Sequence, residues 1–221
     1  DHKVKKGYET YDFQGVFQQI FNFCTLDLSA FYFDIRKDAL YCDGDTARRR
    51  AARTVLDLLF HRLTTWLAPV LVFTMEEVWL SRFPGEDSSI HLTDIPDTPA
   101  EWLNEPLAAK WAMVRAALEV QRTDKVIGAS LEAAPVVHIR DAEMLTALKS
   151  VDFADICITS DLMLTGDPRP DEAFRLPEVD TVGVVFERAE GEKCQRCWKI
   201  LPDVGQHKHP GTCGRCDAAL G

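Results

Sequence analysis

The chain contains one stretch that decides the fold of its C-terminal part, CQRCWKILPDVGQHKHPGTCGRC, which runs from Cys194 to Cys216. It holds two Cys-x-x-Cys pairs separated by fifteen residues, which is the spacing of a zinc site. Each pair places two thiolates on one tight turn, and two such turns complete a tetrahedron with Zn–S distances of about 2.3 Å. The spacing therefore predicts one structural zinc ion, held by Cys194, Cys197, Cys213 and Cys216.

Two disulfides, free thiols and a redox dithiol are the alternatives to zinc at these cysteines. A redox dithiol needs only one pair, usually next to a βαβ unit. His207 and His209 lie between the pairs and could compete as ligands, although four sulfurs already close the coordination sphere. A closed sphere leaves no position for a substrate, so we expect the metal to be structural and not catalytic.

Basic residues and a tryptophan surround the cysteines. A rigid turn that carries cations and an aromatic ring suits phosphate contact and base stacking. The alternative for Trp198 is that its ring packs beneath the first Cys-x-x-Cys turn as a miniature core. The nucleic-acid contacts predicted in this part of the chain are Arg196, Trp198 and Lys199.

Composition limits the classes of function. The 221 residues carry a formal net charge of −10, which excludes a protein that binds nucleic acid through its overall charge, so any contact must come from local basic patches. Seven cysteines are too few for a disulfide scaffold and fit a reducing cytoplasm. No apolar run reaches about 18 residues, so we expect no membrane partner. The N-terminus lacks a signal-peptide pattern, and the missing initiator Met indicates a fragment.

Helical periodicity dominates the first half of the chain. A long helix is predicted over residues 12–41, and a second one follows a polar break in which Asp45 or Thr46 can act as N-cap. A capping box at residues 74–77 is predicted to open a third helix that stops before Pro84. The buried face of the second helix is predicted to contain Ala52, Val55, Leu56, Leu59, Leu63 and Trp66.

The pattern changes after a further helix that is predicted from Asn104 to Gly128. Residues 134–140 and 180–189 are rich in β-branched side chains and predict strands, with a short helix over residues 141–150. The fold class is therefore mainly α. We predict a helical bundle over residues 1–96, a helical linker with a small α+β domain over 97–189, and a zinc ribbon over 190–221.

Two basic groups lie where the first helix ends and the second begins. They are Arg36 and Lys37, then Arg48, Arg49 and Arg50. Cations in the first turn of a helix oppose its dipole, so the three arginines favour an anionic partner over helix stability. Pairing with neighbouring aspartates, or a solvated charged face, is the alternative.

Asp27 falls on the apolar face of the predicted first helix. An unpaired carboxylate is costly in an apolar environment. The sequence therefore predicts a buried ion pair with an arginine such as Arg53, and not acid–base catalysis, because no second titratable group is near.

Four segments together resemble the C-terminal region of bacterial isoleucyl-tRNA synthetases. They are FNFCTLDLSAFYFDIRKDALYCD, RRRAARTVLDLLFHRLTTWLAPVLVFTMEEVW, IGASLEA and GEKCQRCW with CGRC. The first two are typical of the class I synthetases for isoleucine, valine and leucine. The third and the terminal cysteines narrow the resemblance to the isoleucine enzymes, and it covers essentially the whole chain.

The resemblance implies a helical-bundle anticodon-binding domain, an α+β domain and a zinc ribbon that together bind the anticodon arm of tRNA-Ile. In that family ATP-dependent activation of isoleucine and its transfer to tRNA take place in a separate nucleotide-binding domain. This chain has no stretch like His-Ile-Gly-His or Lys-Met-Ser-Lys-Ser, so ATP would bind elsewhere and this chain alone should be inactive. We expect a cytoplasmic monomer with one zinc ion.

Two other functional classes remain open at this point. DNA-repair glycosylases of the formamidopyrimidine type carry a similar terminal zinc module, but they need an N-terminal proline nucleophile, which this chain lacks. A zinc-stabilised protein-interaction scaffold is the other class. RNA binding would separate it from a tRNA-binding region.

Overall fold

The computed structural model describes residues 1–102, Ala109, Ala117 and residues 130–221. It divides into two compact units, one formed by residues 1–40 with 45–103 and the other by residues 41–44 with 104–221. Apart from Ala109 and Ala117, the helix predicted from Asn104 to Gly128 lies outside the described residues. The mainly helical class with small sheets and clustered terminal cysteines is confirmed, while the three predicted domain boundaries stay a prediction.

The first unit is helical. Its elements are α1 (His2–Glu9), α2 (Phe13–Asn22), a π-helical segment (Phe23–Phe33), α3 (Asp34–Cys42, whose last two residues belong to the second unit), α4 (Ala47–Leu67) and α5 (Val72–Arg82). Buried Val4, Val16 and Ile20 pack against Trp66 in one core cluster. A second cluster joins α5 to the short 3-10 turn at Ile90–Leu92.

The long helix predicted over residues 12–41 is present, but its winding differs from the prediction. Eleven residues in its middle, Phe23–Phe33, are π-helical, with hydrogen bonds from residue i to i+5. The wider turn moves side chains off the 3.6-residue stripe on which the prediction depended. Asp27 is consequently exposed, and Arg53 on the helix that begins at Ala47 is exposed as well, so the predicted buried ion pair between them is wrong.

The boundaries of α4 and α5 follow from local hydrogen bonds. The Thr46 hydroxyl accepts the N–H of Arg49 at 3.1 Å, which confirms Thr46 as the N-cap of α4. On α4 Ala52 and Trp66 are buried as predicted, but Val55 is exposed and Thr64 and Thr65 are buried in addition. The capping box at residues 74–77 is wrong, because α5 already begins at Val72.

The second unit contains a three-stranded sheet. Strand β1 (Val136–Ile139) lies between β2 (Met163–Thr165), to which it is parallel, and β3 (Val182–Val185), to which it is antiparallel. Val137 lies opposite Leu164 and Val184. The helices α6 (Ala142–Lys149) and α7 (Phe153–Cys157) complete this α+β part.

The zinc ribbon belongs to the same unit. Strands β4 (Glu192–Lys193) and β5 (Ile200–Leu201) form an antiparallel hairpin, and α8 (Gly214–Leu220) closes the chain. The hairpin carries the first cysteine pair at its tip. The second pair lies at the start of α8, where Cys213 is the N-cap residue.

Candidate zinc centre and nucleic-acid interface

The four predicted ligands meet in the ribbon. Their sulfur atoms all lie within 4.8 Å of one another and all four residues are buried. The Sγ atoms of Cys197 and Cys213 are 3.8 Å apart. A tetrahedron with Zn–S distances of about 2.3 Å has sulfur–sulfur edges of about 3.8 Å. None of the seven cysteines, all of which lie among the described residues, forms a disulfide. The donor set and its spacing therefore fit one structural zinc ion, held by Cys194, Cys197, Cys213 and Cys216.

The protonation of these thiols also indicates a cation. Burial raises the pKa of Cys216 to about 11 and raises that of Cys197 further. Burial also acts to raise the pKa of Cys194, but backbone N–H groups directed at its sulfur outweigh it and lower the value to about 6. Four thiolates cannot share this volume uncompensated, because like charges in a buried site repel strongly. A bound divalent cation removes the conflict and deprotonates its ligands.

The two histidines of the ribbon face carboxylates. His207 Nε2 lies 3.0 Å from Asp203 Oδ2, which also accepts the N–H of Gly214 at 2.7 Å. His209 contacts Asp217 through both its backbone N–H and its ring Nδ1, each at 2.8 Å. The N–H of Gly214 first, and then His207, lowers the pKa of Asp203. These pairs tie the loop between the cysteine pairs to α8, so both rings are engaged outside the sulfur cluster.

Tight backbone geometry explains two residue choices in the hairpin. Gly191 has φ of +113°, and a Cβ there would lie 2.3 Å from the backbone of Leu201, so the close approach of the two strands requires glycine. Trp198 has φ of +66°, the left-handed region that side chains other than glycine rarely adopt. Its N–H donates to the carbonyl oxygen of Cys194 at 2.9 Å and closes the first cysteine turn.

The ring of Trp198 is exposed. Its residue retains 62% of its accessible surface, and Lys193 Nζ lies 5.5 Å from the ring centroid. The alternative in which this ring packs beneath the cysteine turn is therefore wrong. An exposed aromatic face next to an ammonium group can stack on a base while the cation contacts a phosphate.

Residues 41–44 are part of the ribbon's surroundings, which the sequence did not indicate. Cys42 packs in the same buried cluster as the four ligand cysteines. Arg196 donates to the carbonyl oxygens of Cys42 and of Tyr41, the latter at 3.0 Å. Arg215 Nη1 lies 3.1 Å from Oδ1 of Asp43, whose side chain is 2% exposed. No local spacing connects positions more than 150 residues apart, so sequence patterns carried no signal for this contact.

Lys199 joins the ribbon to the α+β part. Its ammonium group lies 3.2 Å from the carboxylate of Asp155, whose side chain is 3% exposed. The neighbouring N–H of Ile200 donates to Ser160 Oγ at 2.7 Å, and that hydroxyl donates to the carbonyl oxygen of Leu131. Of the three nucleic-acid contacts predicted in the ribbon, Arg196 and Lys199 thus also hold protein groups, while Trp198 faces outward.

The basic residues of the helical unit that were predicted to contact nucleic acid have acidic neighbours. Lys37 Nζ is 2.6 Å from Asp34, and Arg48 Nη2 is 3.2 Å from Asp38. Arg50 Nη1 is 2.8 Å from Asp45. These contacts correspond to the ion-paired alternative for this region.

Two further basic residues of that prediction are half-buried. Arg36 lies near Tyr32 and acts to lower the pKa of its phenol, against the larger effect of burial, which raises it. The Nε of Arg49 is buried without a hydrogen-bond partner among the described residues.

Comparison with known proteins agrees with this architecture. The family described as "Anticodon-binding domain of tRNA ligase" matches residues 2–138, and "Zinc finger found in FPG and IleRS" matches residues 191–219. The isoleucine–tRNA ligase of Ruegeria pomeroyi is 70% identical over 228 residues, which is 100% of this chain and 24% of that protein. Those of Agrobacterium fabrum and Brucella abortus are each 50% identical over 229 residues, again 100% of this chain and 24% of each protein.

The chain thus spans about a quarter of the length of the relatives it matches. In the part of the chain that the structure describes, no helix is both long and apolar enough to cross a membrane. The match to the anticodon-binding family covers more than half of the residues and includes all of the described helical unit except Asp1. The chain belongs to the family of anticodon-binding domains of tRNA ligases.

Proposed function

We propose that this chain binds the anticodon arm of tRNA-Ile as part of an isoleucine–tRNA ligase. The observation that carries the proposal is the exposed ring of Trp198 next to Lys193, on a turn whose backbone is fixed by cysteine ligands. Bases of an anticodon loop are splayed out and can stack on such a ring. Membership of the anticodon-binding family and the high identity to isoleucine–tRNA ligases support the choice of RNA.

Zinc has a structural role in this proposal. When bound, it neutralises the thiolates and fixes the two cysteine turns, and it supplies no catalytic chemistry because four sulfurs close its sphere. The ribbon's own residues orient Trp198. The hydrogen bond from its N–H to Cys194 and the contacts of Lys199 with Asp155 hold the turn.

The proposed contacts to tRNA are distributed over both units. Cations fix the register of the phosphate backbone, and the aromatic ring contacts a base. Lys37 and Arg50 suit phosphate contact, because their side chains stay 65% and 59% exposed beside their aspartates. The proposed set is Arg36, Lys37, Arg48, Arg49, Arg50, Arg196, Trp198 and Lys199.

The catalytic step belongs to the longer protein in this proposal. The full ligase would attach isoleucine to tRNA-Ile with ATP, and this chain would contribute affinity for the tRNA. We propose that it acts as a monomer in the cytoplasm. Isoleucine-dependent ATP–pyrophosphate exchange by this chain alone should not exceed a protein-free blank, and measurable exchange would contradict the assignment of catalysis to another domain.

Binding of tRNA-Ile by matched tryptophan variants tests the proposal. Trp198→Ala should weaken binding by about 1–3 kcal/mol if its ring stacks on a base. Trp102→Ala is the control, because Trp102 is also exposed, at 49%, and also lies beside a cation, Arg62. It should bind like the parent. Equal affinities for all three proteins, or no binding of tRNA-Ile by the parent, would contradict the proposal.

The zinc-finger match alone is also compatible with a DNA-repair glycosylase, since its description includes both classes. It covers only residues 191–219, whereas the anticodon-binding match covers residues 2–138 and favours the ligase. Duplex DNA as competitor separates the two functions. It should displace tRNA-Ile poorly, because an acidic chain gains little non-specific affinity for a duplex.

A further inference from the structure

An open groove lies along α4 and α5 of the helical unit. Of the residues that line it, only Arg50 was predicted from the sequence as a nucleic-acid contact. Its volume is about 720 Å³. Three arginines line it together with polar and aromatic side chains. The lining residues that matter here are Arg50, Arg53, Thr54, Asp57, Phe60 and Arg82.

Arg82 is held in a defined orientation. Its guanidinium lies over the ring of Phe60, 4.7 Å from the centroid, and 5.1 Å from that of Phe83. It also forms an ion pair with Asp57. A guanidinium has five N–H donors in a planar fork, so one carboxylate does not use all the donors of Arg82, which lines the groove. The side chain retains 41% exposure, which keeps those donors accessible.

Arg53 differs from its neighbours on α4. It is exposed, and within the described part of the chain it makes neither an ion pair nor a hydrogen bond. Arg50, Arg53 and Asp57 are three and four residues apart, so they follow one face of the helix. Arg50 is already paired with Asp45. The positive charge of Arg53 is therefore the least compensated in the groove.

The groove suits a chain of phosphates better than a small anion. Its arginines come from two helices and are spread along an open surface, whereas a single phosphate ion is usually enclosed by converging donors. The rest of an acidic chain repels a polyanion, so a local arginine groove concentrates its binding. Guanidinium forks match phosphate oxygens in geometry as well as in charge.

We infer that the α4–α5 groove binds phosphodiester groups of the tRNA backbone, with Arg53 and Arg82 as its principal donors. The inference rests on the proposed function and extends it from the first turn of α4 to a groove that also includes the end of α5. Arg53 and Arg82 fix the position of the backbone and read no base, because phosphates carry no sequence information.

Binding of tRNA-Ile at several salt concentrations tests the inference. Arg53→Gln should lower the affinity roughly three- to tenfold at low salt, and should reduce the slope of log affinity against log salt by about one. Arg82→Gln should have a similar effect. Arg82→Lys should recover part of the slope but not the full affinity, since an ammonium group keeps the charge and loses the fork. Arg140→Gln, an exposed arginine of the other unit, is the control and should leave both quantities unchanged.

The outcomes separate this inference from the proposed function. If the parent binds tRNA-Ile and Arg53→Gln and Arg82→Gln behave like Arg140→Gln, the groove inference is wrong and the proposed function stands. If the parent does not bind tRNA-Ile, the proposed function fails and the inference fails with it. Displacement of the RNA from the parent, but not from Arg53→Gln, by millimolar inorganic phosphate or by polyglutamate would show a site for free anions or acidic peptides, and would overturn the backbone assignment. Thermal melts of each variant check its fold, and Arg53→Gln is the cleanest variant because the Arg53 side chain makes no ion pair or hydrogen bond with other described residues.

Discussion

The ribbon and the helical unit are stabilised in different ways. The buried cluster of the ribbon consists of cysteines, joined at its edge by partly buried Leu201 and Val204. The helical unit buries large apolar side chains, among them Ile20 and Trp66. A module this small cannot bury enough apolar surface to fold alone, so it depends on metal binding or on neighbouring chain. This difference indicates that the bound zinc ion determines whether the ribbon folds, whereas the stability of the helices depends on their own apolar core.

Removal of zinc should give the largest difference between the two regions. Structural zinc contributes on the order of 10–16 kcal/mol of binding free energy in zinc-finger peptides. Cys213→Ala, or a chelator, should therefore unfold the ribbon and leave the helical signal in the far-UV spectrum. Metal analysis should find one zinc ion per parent chain and a loss in Cys213→Ala. Cys24→Ala is the control and should keep its zinc. Protein purified without chelator that contains no zinc would contradict this account.

Truncation of a large apolar side chain in the core should destabilise the helical unit and leave the zinc ribbon intact. Trp66 is 6% exposed and contacts the ring of Phe23 edge-on at 6.3 Å. Trp66→Ala should lower the free energy of unfolding of the helical unit by about 3–5 kcal/mol, because it leaves a cavity. Zinc content should stay at one per chain. Simultaneous loss of zinc would mean that the two regions fold as one cooperative unit.

Loss of the ion pair between Asp43 and Arg215 should have an intermediate effect on stability, confined to the second unit. Asp43→Asn keeps the shape of the side chain and removes the charge that faces Arg215. We expect a loss of about 1–3 kcal/mol, since Arg215 remains partly exposed to water and hydrogen bonds to charged groups are worth about that much. Hydrogen exchange of residues 41–44 should accelerate. The exposed pair of Arg50 with Asp45 supplies the comparison, and Asp45→Asn should change little.

Loss of the α4 cap should have the smallest effect. Thr46→Ala removes the acceptor for the Arg49 N–H and should cost about 1 kcal/mol in the helical unit. Thr46→Ser should restore most of it, because serine caps equally well. Denaturant unfolding of the helical signal measures both variants. A larger loss in Thr46→Ala than in Trp66→Ala would reverse the expected order.

Sequence reasoning succeeded where the relevant physics is local. The four cysteines define a metal site through spacing alone, and Thr46 defines a helix start through one side-chain hydrogen bond. The strands β1 and β3 were predicted from segments rich in β-branched side chains, whereas β2 was not predicted. The resemblance to synthetase segments added the family, which the comparisons confirm.

The predictions that proved wrong depended on helix winding and tertiary contacts, which local sequence patterns do not encode. The prediction of a buried helix face from periodicity assumes 3.6 residues per turn. The π-helical segment Phe23–Phe33 has a wider turn, and Asp27 within it is therefore exposed. Thr74 matched a capping box, but α5 begins earlier, at Val72, with Leu71 at the N-cap position and no side-chain cap hydrogen bond. The packing of Cys42 with the ribbon depends on tertiary contacts that no local pattern encodes. The contacts of Arg196 with the carbonyl oxygens of Tyr41 and Cys42, and of Lys199 with Asp155, likewise could not be predicted from local patterns.

The left-handed backbone of Trp198 implies a conflict for anyone who wishes to stabilise this ribbon. A left-handed residue with a side chain costs about 1–2 kcal/mol relative to its right-handed form, and glycine avoids that cost. Trp198→Gly would thus be a sensible thermostabilising substitution by backbone criteria. It would also delete the exposed ring proposed to meet the RNA. Stability and the proposed RNA contact therefore compete at this one position, and selection for heat resistance alone should drive the sequence away from tryptophan.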